Sequence, residues 1–392
     1  MIKIQLKPNR DEAIRRFHPW VFSGAVHRMD GQPKDGETVD VFDRAGEWIA
    51  TGHYQDGSIC VRIISFEFQD INQIFWNKKI QNAYDYRQKI GIIGNIETNC
   101  YRLVHAEGDG LPGLVIDIYG NTAVVQCHSI GMYRARVEIA AALKEVFGES
   151  LTAIYDKSKE TLPKVFAMGV ENRYLHGEAG STVVLENGCK FSIDWEGGQK
   201  TGFFLDQRDN RQLLGRYAKG KTVLNAFCYT GGFSVYALLA DAAKVDSIDV
   251  SAKAVELVKQ NVALNGDFED KHNAYAEDVL DFLKSNEKIY DVMIVDPPAF
   301  AKSLDKRHNA VQGYKRLNAM ALQQIAAGGI LFTFSCSQVV DRQLFYDTIV
   351  AAAIEAKRQV RVMHHLTQPA DHPVNLFHPE GGYLKGLVLY VE

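Results

Sequence analysis

The stretch TVLNAFCYTGGFSVYALLADAAKVDSIDV, residues 222–250, decides the fold class of this chain. An apolar run at 222–227 leads into a glycine-containing turn and a second apolar run with the length of a helix, and a further short run ends at Asp249. Short apolar runs that alternate with helices indicate a parallel sheet covered on both faces. Ligands of such doubly wound sheets bind at the carboxyl ends of the strands. We therefore expect an α/β fold with its functional residues at those ends.

The pattern changes along the chain and predicts three domains. Residues 1–72 alternate apolar and polar positions between turn signals, which is typical of a small β-barrel. Residues 73–181 combine helical stretches with several strands and predict a small central α+β domain. Residues 182–392 carry the repeated strand–helix pattern of the α/β domain. The sequence shows neither an internal repeat nor a low-complexity linker.

Composition is that of an ordinary soluble protein in a reducing compartment. Of the 392 residues, 46% are hydrophobic and 23% are charged. The first residues lack the apolar stretch of a secretory signal, and no window holds the roughly 18 apolar residues that a membrane span needs. The six cysteines are far apart in the sequence, at positions 60, 100, 127, 189, 228 and 336. This spacing argues against a zinc knuckle and against a disulfide framework. We expect a cytoplasmic protein without a membrane partner, and the sequence leaves a homodimer open.

Charge limits where a nucleic acid could bind. The net charge of −4 does not indicate a polyanion-binding surface over the whole protein. Residues 1–72 hold nine Lys/Arg against eleven Asp/Glu, whereas residues 299–316 hold five Lys/Arg and one Asp. Any contact with nucleic acid is therefore expected to be local, although a solvated charged loop explains the same residues equally well.

Three features near the first strand ends suit a nucleoside-containing cofactor. The turn NAFCYTGGFS, residues 225–234, contains Gly231 and Gly232, which let the backbone approach a ligand that a Cβ would exclude. It is not the G-x-G-x-x-G turn of dinucleotide folds. Asp249 closes the second strand and could accept hydrogen bonds from ribose hydroxyls. Asp278 closes the third strand, where it could meet the adenine amine, although capping a helix is the usual role of such an Asp.

The fourth and fifth strands end in Asp-Pro-Pro and in a cysteine. Pro297 and Pro298 fix φ and donate no backbone hydrogen bond, so they hold Asp296 still beyond the strand; a plain turn is the alternative. Cys336 follows the fifth strand. A thiolate at that position could add to carbon 6 of a pyrimidine, which would make carbon 5 nucleophilic enough to accept a methyl group. A buried, inert cysteine is the alternative for Cys336.

The glycine turn, the two acids and Asp-Pro-Pro, in this order, resemble class I S-adenosylmethionine-dependent methyltransferases. More specific similarity lies in GGQKTGFFLDQRDNR (197–211), NAFCYTGGFSVYAL (225–238), DPPAFAKS (296–303), FSCSQ (334–338) and HPEGGYLKGL (378–387). These motifs look like the bacterial large-subunit (23S) ribosomal RNA cytosine-C5 methyltransferase family. That family has an N-terminal PUA domain, a small central domain and a C-terminal class I Rossmann-like domain. The resemblance spans the whole chain and is weakest over residues 1–72.

The resemblance implies roles for individual residues. Cys336 would be the nucleophile, and Asp296 would hold the amine or ring nitrogen 3 of the target cytosine. The residues expected to contact S-adenosylmethionine are Lys200, Arg208, Asn225, Phe227, Thr230, Gly231, Gly232, Asp249, Asp278, Asp296 and Pro297. The residues expected to contact the RNA are Pro298, Phe300, Lys302, Lys306, Arg307 and Lys385.

One role stays without an owner, that of the base for the carbon 5 proton. Lys385 aligns with a glutamate that serves in uracil-C5 methyltransferases, and Ala299 stands where many RNA cytosine-C5 enzymes carry a second cysteine. Asp296, a water molecule and a substrate phosphate are all candidates, and His378 and Glu380 are weaker ones. No metal site is expected, because the spacing of the histidines at 364, 365, 372 and 378 does not match a known metal-ligand pattern.

Cytosine-C5 methylation of 23S ribosomal RNA, naked or in a partly assembled subunit, is the leading hypothesis. Methylation of guanine N7 or another base without covalent catalysis is an alternative that Cys336 and the N-terminal domain disfavour. A catalytically inactive RNA-binding module is a second alternative, against which the intact Asp249, Asp278, Asp296 and Cys336 argue. A nicotinamide dehydrogenase is a third, disfavoured by the missing G-x-G-x-x-G turn and by Asp-Pro-Pro.

Overall fold

Short strands with alternating apolar positions form the N-terminal part of the chain, as the sequence predicts. The computed structural model describes residues 1–178, 180–301 and 303–392. The first strands are β1 (Ile2–Leu6), β2 (Trp20–Phe22), β3 (Val26–Met29), β4 (Thr38–Phe42), β5 (Trp48–Tyr54) and β6 (Ile59–Ser65). They form one sheet in the order β2-β6-β5-β4-β1-β3, in which only β1 and β4 pair in parallel. Helix α1 (Glu12–Arg15) follows β1, and the sheet encloses its own hydrophobic core around Ile4, Val41 and Val61.

A second sheet and its helices follow. The strands are β7 (Cys100–His105), β8 (Leu114–Tyr119), β9 (Thr122–Cys127), β10 (Ala153–Asp156) and β11 (Arg173–His176), in the order β11-β10-β9-β8-β7. The helices are α2 (Gln73–Lys89), α3 (Ile130–Arg134), α4 (Arg136–Phe147) and α5 (Lys164–Ala167). Gly120, with φ of +59°, begins the two-residue turn between β8 and β9, a position that favours glycine. This part also has a separate core, which includes Ile80, Ile116 and Leu143.

Contacts within the described residues divide the chain into two compact units. Unit 1 comprises residues 1–184, 193–205 and 370–381, and unit 2 comprises residues 185–192, 206–369 and 382–392. The hairpin of β12 (Val183–Glu186) and β13 (Cys189–Ser192) begins at the boundary. The three-domain division at 72 and 181 stays a prediction.

Unit 2 contains the predicted α/β sheet, so the expected fold class is confirmed. Its strands are β14 (Thr222–Ala226), β15 (Lys244–Asp249), β16 (His272–Ala276), β17 (Tyr290–Val295), β18 (Ile325–Ser335), β19 (Val360–Leu366) and β20 (Lys385–Val391). They lie in the order β16-β15-β14-β17-β18-β20-β19. Strands β14 to β18 pair in parallel, and β20 runs antiparallel to β18 and β19. The wholly parallel sheet that the sequence suggested is thus mixed at one side.

Helices connect the strands of unit 2 and leave the functional loops at one edge of the sheet. They are α6 (Arg208–Ala218), α7 (Gly232–Leu239), α8 (Ala252–Ala263), α9 (Val279–Ser285), α10 (Arg307–Gln324) and α11 (Arg342–Ala356). Side chains cap three of them at the N-terminus: Ser251 for α8, Asp278 for α9 and Asp341 for α11. Over the described residues, the helices lack the combination of length and apolar composition that crossing a membrane would require.

Candidate active site

A strained loop follows β14 at the carboxyl edge of the sheet. Phe227, Tyr229 and Gly231 adopt φ of +60°, +46° and +78°, and for the two aromatic residues this left-handed conformation is uncommon. The neighbouring strand fixes the loop, because the amide of Cys228 donates to the carbonyl of Ile248 at 2.9 Å. Successive residues in such conformations can present their backbone N–H groups on one side, an arrangement that is able to bind a ligand.

Asn225 and Thr230, both predicted cofactor contacts, are buried and form hydrogen bonds with other residues of unit 2. Asn225 donates from Nδ2 to Ser234 Oγ at 2.8 Å, and this hydrogen bond links the end of strand β14 to helix α7. The carbonyl of Thr230 accepts a 2.8 Å hydrogen bond from Asn261 Nδ2 of α8. Both residues therefore hold the loop in shape, and direct contact with the cofactor stays a prediction.

The two glycines of the loop have a packing reason that the sequence analysis did not foresee. A Cβ on Gly231 would lie 2.9 Å from Val258, and a Cβ on Gly232 would lie 2.8 Å from Arg211 Cδ. Arg211 cannot move away cheaply, since its guanidinium donates to both carboxylate oxygens of buried Glu186 at 2.8 and 2.7 Å. The glycines thus allow α8 and the ion pair to come close to the loop. Close approach of a ligand at the same glycines stays a prediction.

The two acids of the predicted nucleoside site differ in their surroundings. Asp249 is half-buried at the end of β15 and accepts hydrogen bonds from the amides of Tyr229 and Ser251, at 3.0 and 2.9 Å. Asp278 caps α9, accepting from the amides of Leu280 and Asp281 at 2.9 and 3.1 Å. The N-cap role raised as the alternative for Asp278 is therefore present, and a contact of either carboxylate with ribose or adenine stays a prediction.

Asp296 lies directly after β17 and is held by a chain of amides. Gln207 donates from Nε2 to Asp296 Oδ2 at 2.8 Å, and Asn210 donates to Gln207 Oε1 at 2.6 Å. Burial, followed by the nearby negative charge of Asp206, raises the pKa of Asp296 to about 7, against the lowering effect of Gln207 and Arg211. This carboxyl group can therefore exchange a proton near neutral pH.

A second acid stands beside the first. Asp206 accepts a 2.6 Å hydrogen bond from the hydroxyl of Tyr383 through Oδ2, while its Oδ1 is buried and makes no hydrogen bond within the described part of the chain. Sequence reasoning did not assign Asp206, Gln207 or Tyr383 a role. The signal for the first two was their place inside the family motif at 197–211; for Tyr383 it was the motif at 378–387.

Cys336 lies just beyond β18, the parallel neighbour of β17. Val295 and Thr333 are paired in the two strands, so Asp296 and Cys336 leave the sheet at the same edge. Among the six cysteines, all of them described, Cys336 alone is partly exposed. Burial raises the pKa of Cys60 to about 11 and the pKa values of Cys127 and Cys189 to about 12, which makes those thiols poor nucleophiles.

Tyr314 joins Asp296, Phe300 and Cys336 from the side of α10. Its side chain is fully buried, and its ring centroid lies 4.6 Å from that of Phe300. Burial raises the pKa of Tyr314 to about 12, and the negative charges of Cys336 and Asp296 add smaller contributions, so the hydroxyl stays protonated. Sequence reasoning missed Tyr314, because a single tyrosine on a helix carries no signal of which strand ends it faces.

The predicted RNA-contacting residues fall into two groups. Pro298, Phe300, Lys306 and Arg307 are exposed, and the last of these starts α10. A surface groove of about 480 Å³ is lined by Arg307, His308, Val311, Asp341, Gln343, Leu344 and Asp347. Lys302 lies outside the described residues. Lys385 is different, since its side chain is only 4% exposed and its ammonium bonds to backbone carbonyls; direct contact with RNA does not fit that position.

Two further predicted cofactor contacts lie on the motif at 197–211, which the boundary between the units divides. Lys200 belongs to unit 1, where its carbonyl accepts a 3.2 Å hydrogen bond from Gln126 Nε2. Arg208 begins α6 of unit 2 and is 4% exposed. Pro297 is buried next to Asp296. Contact of these residues with the cofactor stays a prediction.

A seven-stranded sheet with one reversed strand, a glycine loop after β14 and acids after the next strands define a class I S-adenosylmethionine-dependent methyltransferase. The S-adenosylmethionine-dependent methyltransferase family matches residues 161–387, and a PUA-like domain matches residues 4–66. The methyl donor and the PUA-like N-terminal domain expected from the sequence are thereby confirmed. S-adenosylmethionine supplies the methyl group in this family.

Relatives narrow the class further. Two proteins named ribosomal RNA large subunit methyltransferase I are each 42% identical: one from Shewanella amazonensis, over 100% of this chain and 99% of the relative, and one from Vibrio parahaemolyticus, over 99% of each. The crystal structure of SMU.776, described as a candidate methyltransferase complexed with SAH, has a TM-score of 0.86 at 25% identity and covers 100% of both chains. The chain belongs to the family of the large-subunit ribosomal RNA methyltransferases I.

Proposed function

We propose that this protein methylates carbon 5 of a cytosine in large-subunit ribosomal RNA, through a covalent adduct between Cys336 and the base. The observation that carries the proposal is the position of Cys336. It is the partly exposed cysteine of the chain, and it follows β18 at the same sheet edge as Asp296 after β17. A methyltransferase that acts on an exocyclic amine or on guanine N7 needs no thiol at that place.

Covalent chemistry explains why a thiol is useful there. The Cys336 thiolate adds to carbon 6 of the cytosine, and the electron pair of the 5,6 double bond becomes available at carbon 5. Carbon 5 takes the methyl group from the sulfonium of S-adenosylmethionine, leaving S-adenosylhomocysteine. A base then removes the carbon 5 proton, the double bond forms again, and the thiolate leaves. The cysteine is thus regenerated, and no redox partner is required.

Asp296 is suited to balance charge on the base during these steps. With a pKa of about 7, the group is present in both forms near neutral pH. The protonated form can donate to ring nitrogen 3 when the thiolate adds, and the ionised form can accept from the exocyclic amine. Gln207 fixes the orientation of the carboxyl group through its 2.8 Å hydrogen bond. Asp296 is also a candidate base for the carbon 5 proton.

The substrate class follows from the relatives and from the N-terminal domain. The two relatives at 42% identity are named for large-subunit ribosomal RNA, and residues 4–66 match a PUA-like domain. Structured RNA is recognised largely through shape, stacking and local phosphate contacts rather than through a large net positive charge. The overall charge of −4 is compatible with that mode of binding.

Nucleoside analysis of methylated RNA tests the proposal. Large-subunit RNA without its natural modifications is incubated with the enzyme and S-adenosylmethionine. The RNA is then digested to nucleosides, which are identified by mass spectrometry. We expect 5-methylcytidine with the wild type and with Cys189→Ala, which changes a buried cysteine of the same unit outside the glycine loop, and no product with Cys336→Ala. Formation of 7-methylguanosine, or full activity of Cys336→Ala, would contradict the proposal.

A further inference from the structure

Lys385 begins β20 directly opposite the end of the strand that carries Cys336. In the antiparallel register of β18 and β20, the Cα of Lys385 pairs with that of Ser335, the last residue of β18. Cys336 is the next residue along the chain. The lysine and the cysteine therefore come from facing positions at the carboxyl edge of the sheet.

The ammonium of Lys385 holds the backbone that follows the cysteine. Its Nζ donates to the carbonyl of Ser337 at 2.6 Å and to the carbonyl of Val340 at 2.7 Å. These carbonyls belong to segment 336–341, which starts with Cys336 and ends with Asp341, the N-cap of α11. The lysine thereby ties the first and the fourth residue after the cysteine to the sheet.

A buried ammonium is a costly way to hold a loop. The side chain is 4% exposed, and both hydrogen-bond partners are neutral carbonyls, which replace only part of the lost hydration. Burial lowers the pKa of Lys385 to about 8. A neutral donor such as a side-chain amide could also donate to a carbonyl here without taking a charge out of water, so hydrogen bonding alone does not account for the lysine.

The charged groups around the ammonium point to the thiol. Among these charged groups, ionised Cys336 has the largest effect on the pKa of Lys385 and raises it. Arg342 lowers that pKa and Asp341 raises it, each by a smaller amount. Ionised Cys336 also raises the pKa of Tyr314 in α10, which stays protonated and therefore adds no charge. Because electrostatic coupling is mutual, a charged Lys385 also favours the thiolate form of Cys336.

We propose that Lys385 is the positioning residue of Cys336: it fixes the segment that presents the thiol and supplies the positive charge that stabilises the thiolate. This inference rests on the proposed function, in which Cys336 is the nucleophile. It replaces the substrate contact that the sequence analysis predicted for Lys385. The role that the uracil-C5 enzymes give to an acid at the aligned position is thus not transferred to this lysine.

Alkylation of Cys336 as a function of pH tests the proposal without RNA. The full-length protein is treated with iodoacetamide from pH 6 to 10, and the rate at Cys336 is followed by peptide mass spectrometry. With Lys385→Met and with Lys385→Gln, which keeps an N–H donor but has no charge, we expect the midpoint to rise by about one pH unit or more. Lys385→Arg should retain a midpoint near that of the wild type, because the charge is kept.

Turnover supplies the second readout. The kcat of Lys385→Met and Lys385→Gln at pH 7 should fall by about tenfold or more, with the KM for RNA little changed and part of the loss recovered at pH 9. Lys79→Met is the matched control, since Lys79 of unit 1 is half-buried, also donates to a backbone carbonyl and has a pKa lowered by burial to about 8. That control should leave both profiles unchanged.

The outcomes separate this inference from the proposed function. An alkylation midpoint in Lys385→Gln equal to that of the wild type, with both proteins folded by thermal melting, would overturn the role of Lys385. If Lys385→Met fails to fold, the Gln and Arg variants still decide the question. A wild type that forms no 5-methylcytidine would instead overturn the proposed function, whatever the alkylation profiles show.

Discussion

The side-chain amide of Gln207 donates a 2.8 Å hydrogen bond to Asp296, which joins residues 89 positions apart in the sequence. Asn210 fixes the direction of this amide by donating to Gln207 Oε1 at 2.6 Å. The acid of the Asp-Pro-Pro motif is therefore oriented from α6 and its preceding turn as well as by the two prolines. The proton equilibrium of Asp296 near pH 7 follows from the burial of this carboxyl group.

The Asp296 carboxyl group should make the stability of the protein depend on pH. An Asp in an unfolded chain titrates near pH 4, whereas burial raises the pKa of folded Asp296 to about 7. The folded state therefore binds the proton more tightly, and stability is lost as the pH rises through this window. Asp296→Asn has no proton to titrate at this position. The unfolding free energy of Asp296→Asn minus that of the wild type should therefore increase by up to about 2.5 kcal/mol between pH 5 and pH 8. Urea unfolding at the two pH values measures this difference, and Asp305→Asn, at an exposed position, is the control. Equal pH dependence of the unfolding free energy in Asp296→Asn and the wild type would contradict the prediction.

Gln207→Leu should move the pH dependence of catalysis upward. The hydrogen bond from Gln207 lowers the pKa of Asp296, so its removal raises that pKa above its present value near 7. Whichever form of Asp296 is active, the corresponding limb of the kcat profile shifts to higher pH, by roughly one unit. Gln212→Leu changes an exposed glutamine on the same helix and should leave the profile in place. An unshifted limb in Gln207→Leu would show that Asp296 does not set it.

The buried ion pair of Arg211 and Glu186 should be strongly stabilising only as an intact pair. Removing one partner leaves an uncompensated buried charge, so we expect Arg211→Met or Glu186→Gln to lower the unfolding free energy by about 3–5 kcal/mol. The double variant Arg211→Met/Glu186→Leu should lose less than the sum. The exposed pair Lys284–Asp281 is the matched control, and Lys284→Met should cost less than about 1 kcal/mol. Additive losses in the buried pair would count against coupling between its members.

Charge reversal at the start of α10 should weaken RNA binding. Lys306→Glu/Arg307→Glu removes two exposed cations at the carboxyl edge of the sheet, so the KM for RNA should rise and its salt dependence should flatten. Lys219→Glu/Lys221→Glu changes the net charge equally but lies just before β14, at the amino edge. Kinetics at several salt concentrations compare the two variants. Unchanged values for the first, or equal effects of both, would show that Lys306 and Arg307 do not contact the RNA.

The sequence was sufficient to predict the features that depend on local pattern. Apolar runs between helices predicted the sheet of unit 2. Residues at or just beyond the ends of its strands, such as Asp249, Asp296 and Cys336, were found at the carboxyl edge. These predictions succeeded because periodicity and chain order determine where a parallel strand ends.

Features that depend on tertiary contacts were not predictable. Periodicity does not reveal the direction of a strand, so the reversal of β20 was missed, and with it the inward position of Lys385 opposite Ser335. The sequence also carried no sign that a Cβ on Gly231 would meet Val258 of α8, a packing constraint that exists beside the predicted approach of a ligand. The contact of Tyr383 with Asp206 links positions 177 apart in the chain, and only the folded structure brings them together.

Covalent trapping with RNA containing 5-fluorocytosine tests the central claim most directly. Fluorine at carbon 5 cannot leave as a cation, so after methyl transfer the thiolate cannot be expelled. With S-adenosylmethionine present, the wild type should form a denaturation-resistant complex with the RNA, and peptide mapping should place the link on Cys336. No complex with the wild type, an equal complex with Cys336→Ala, or a link on another residue would contradict the account.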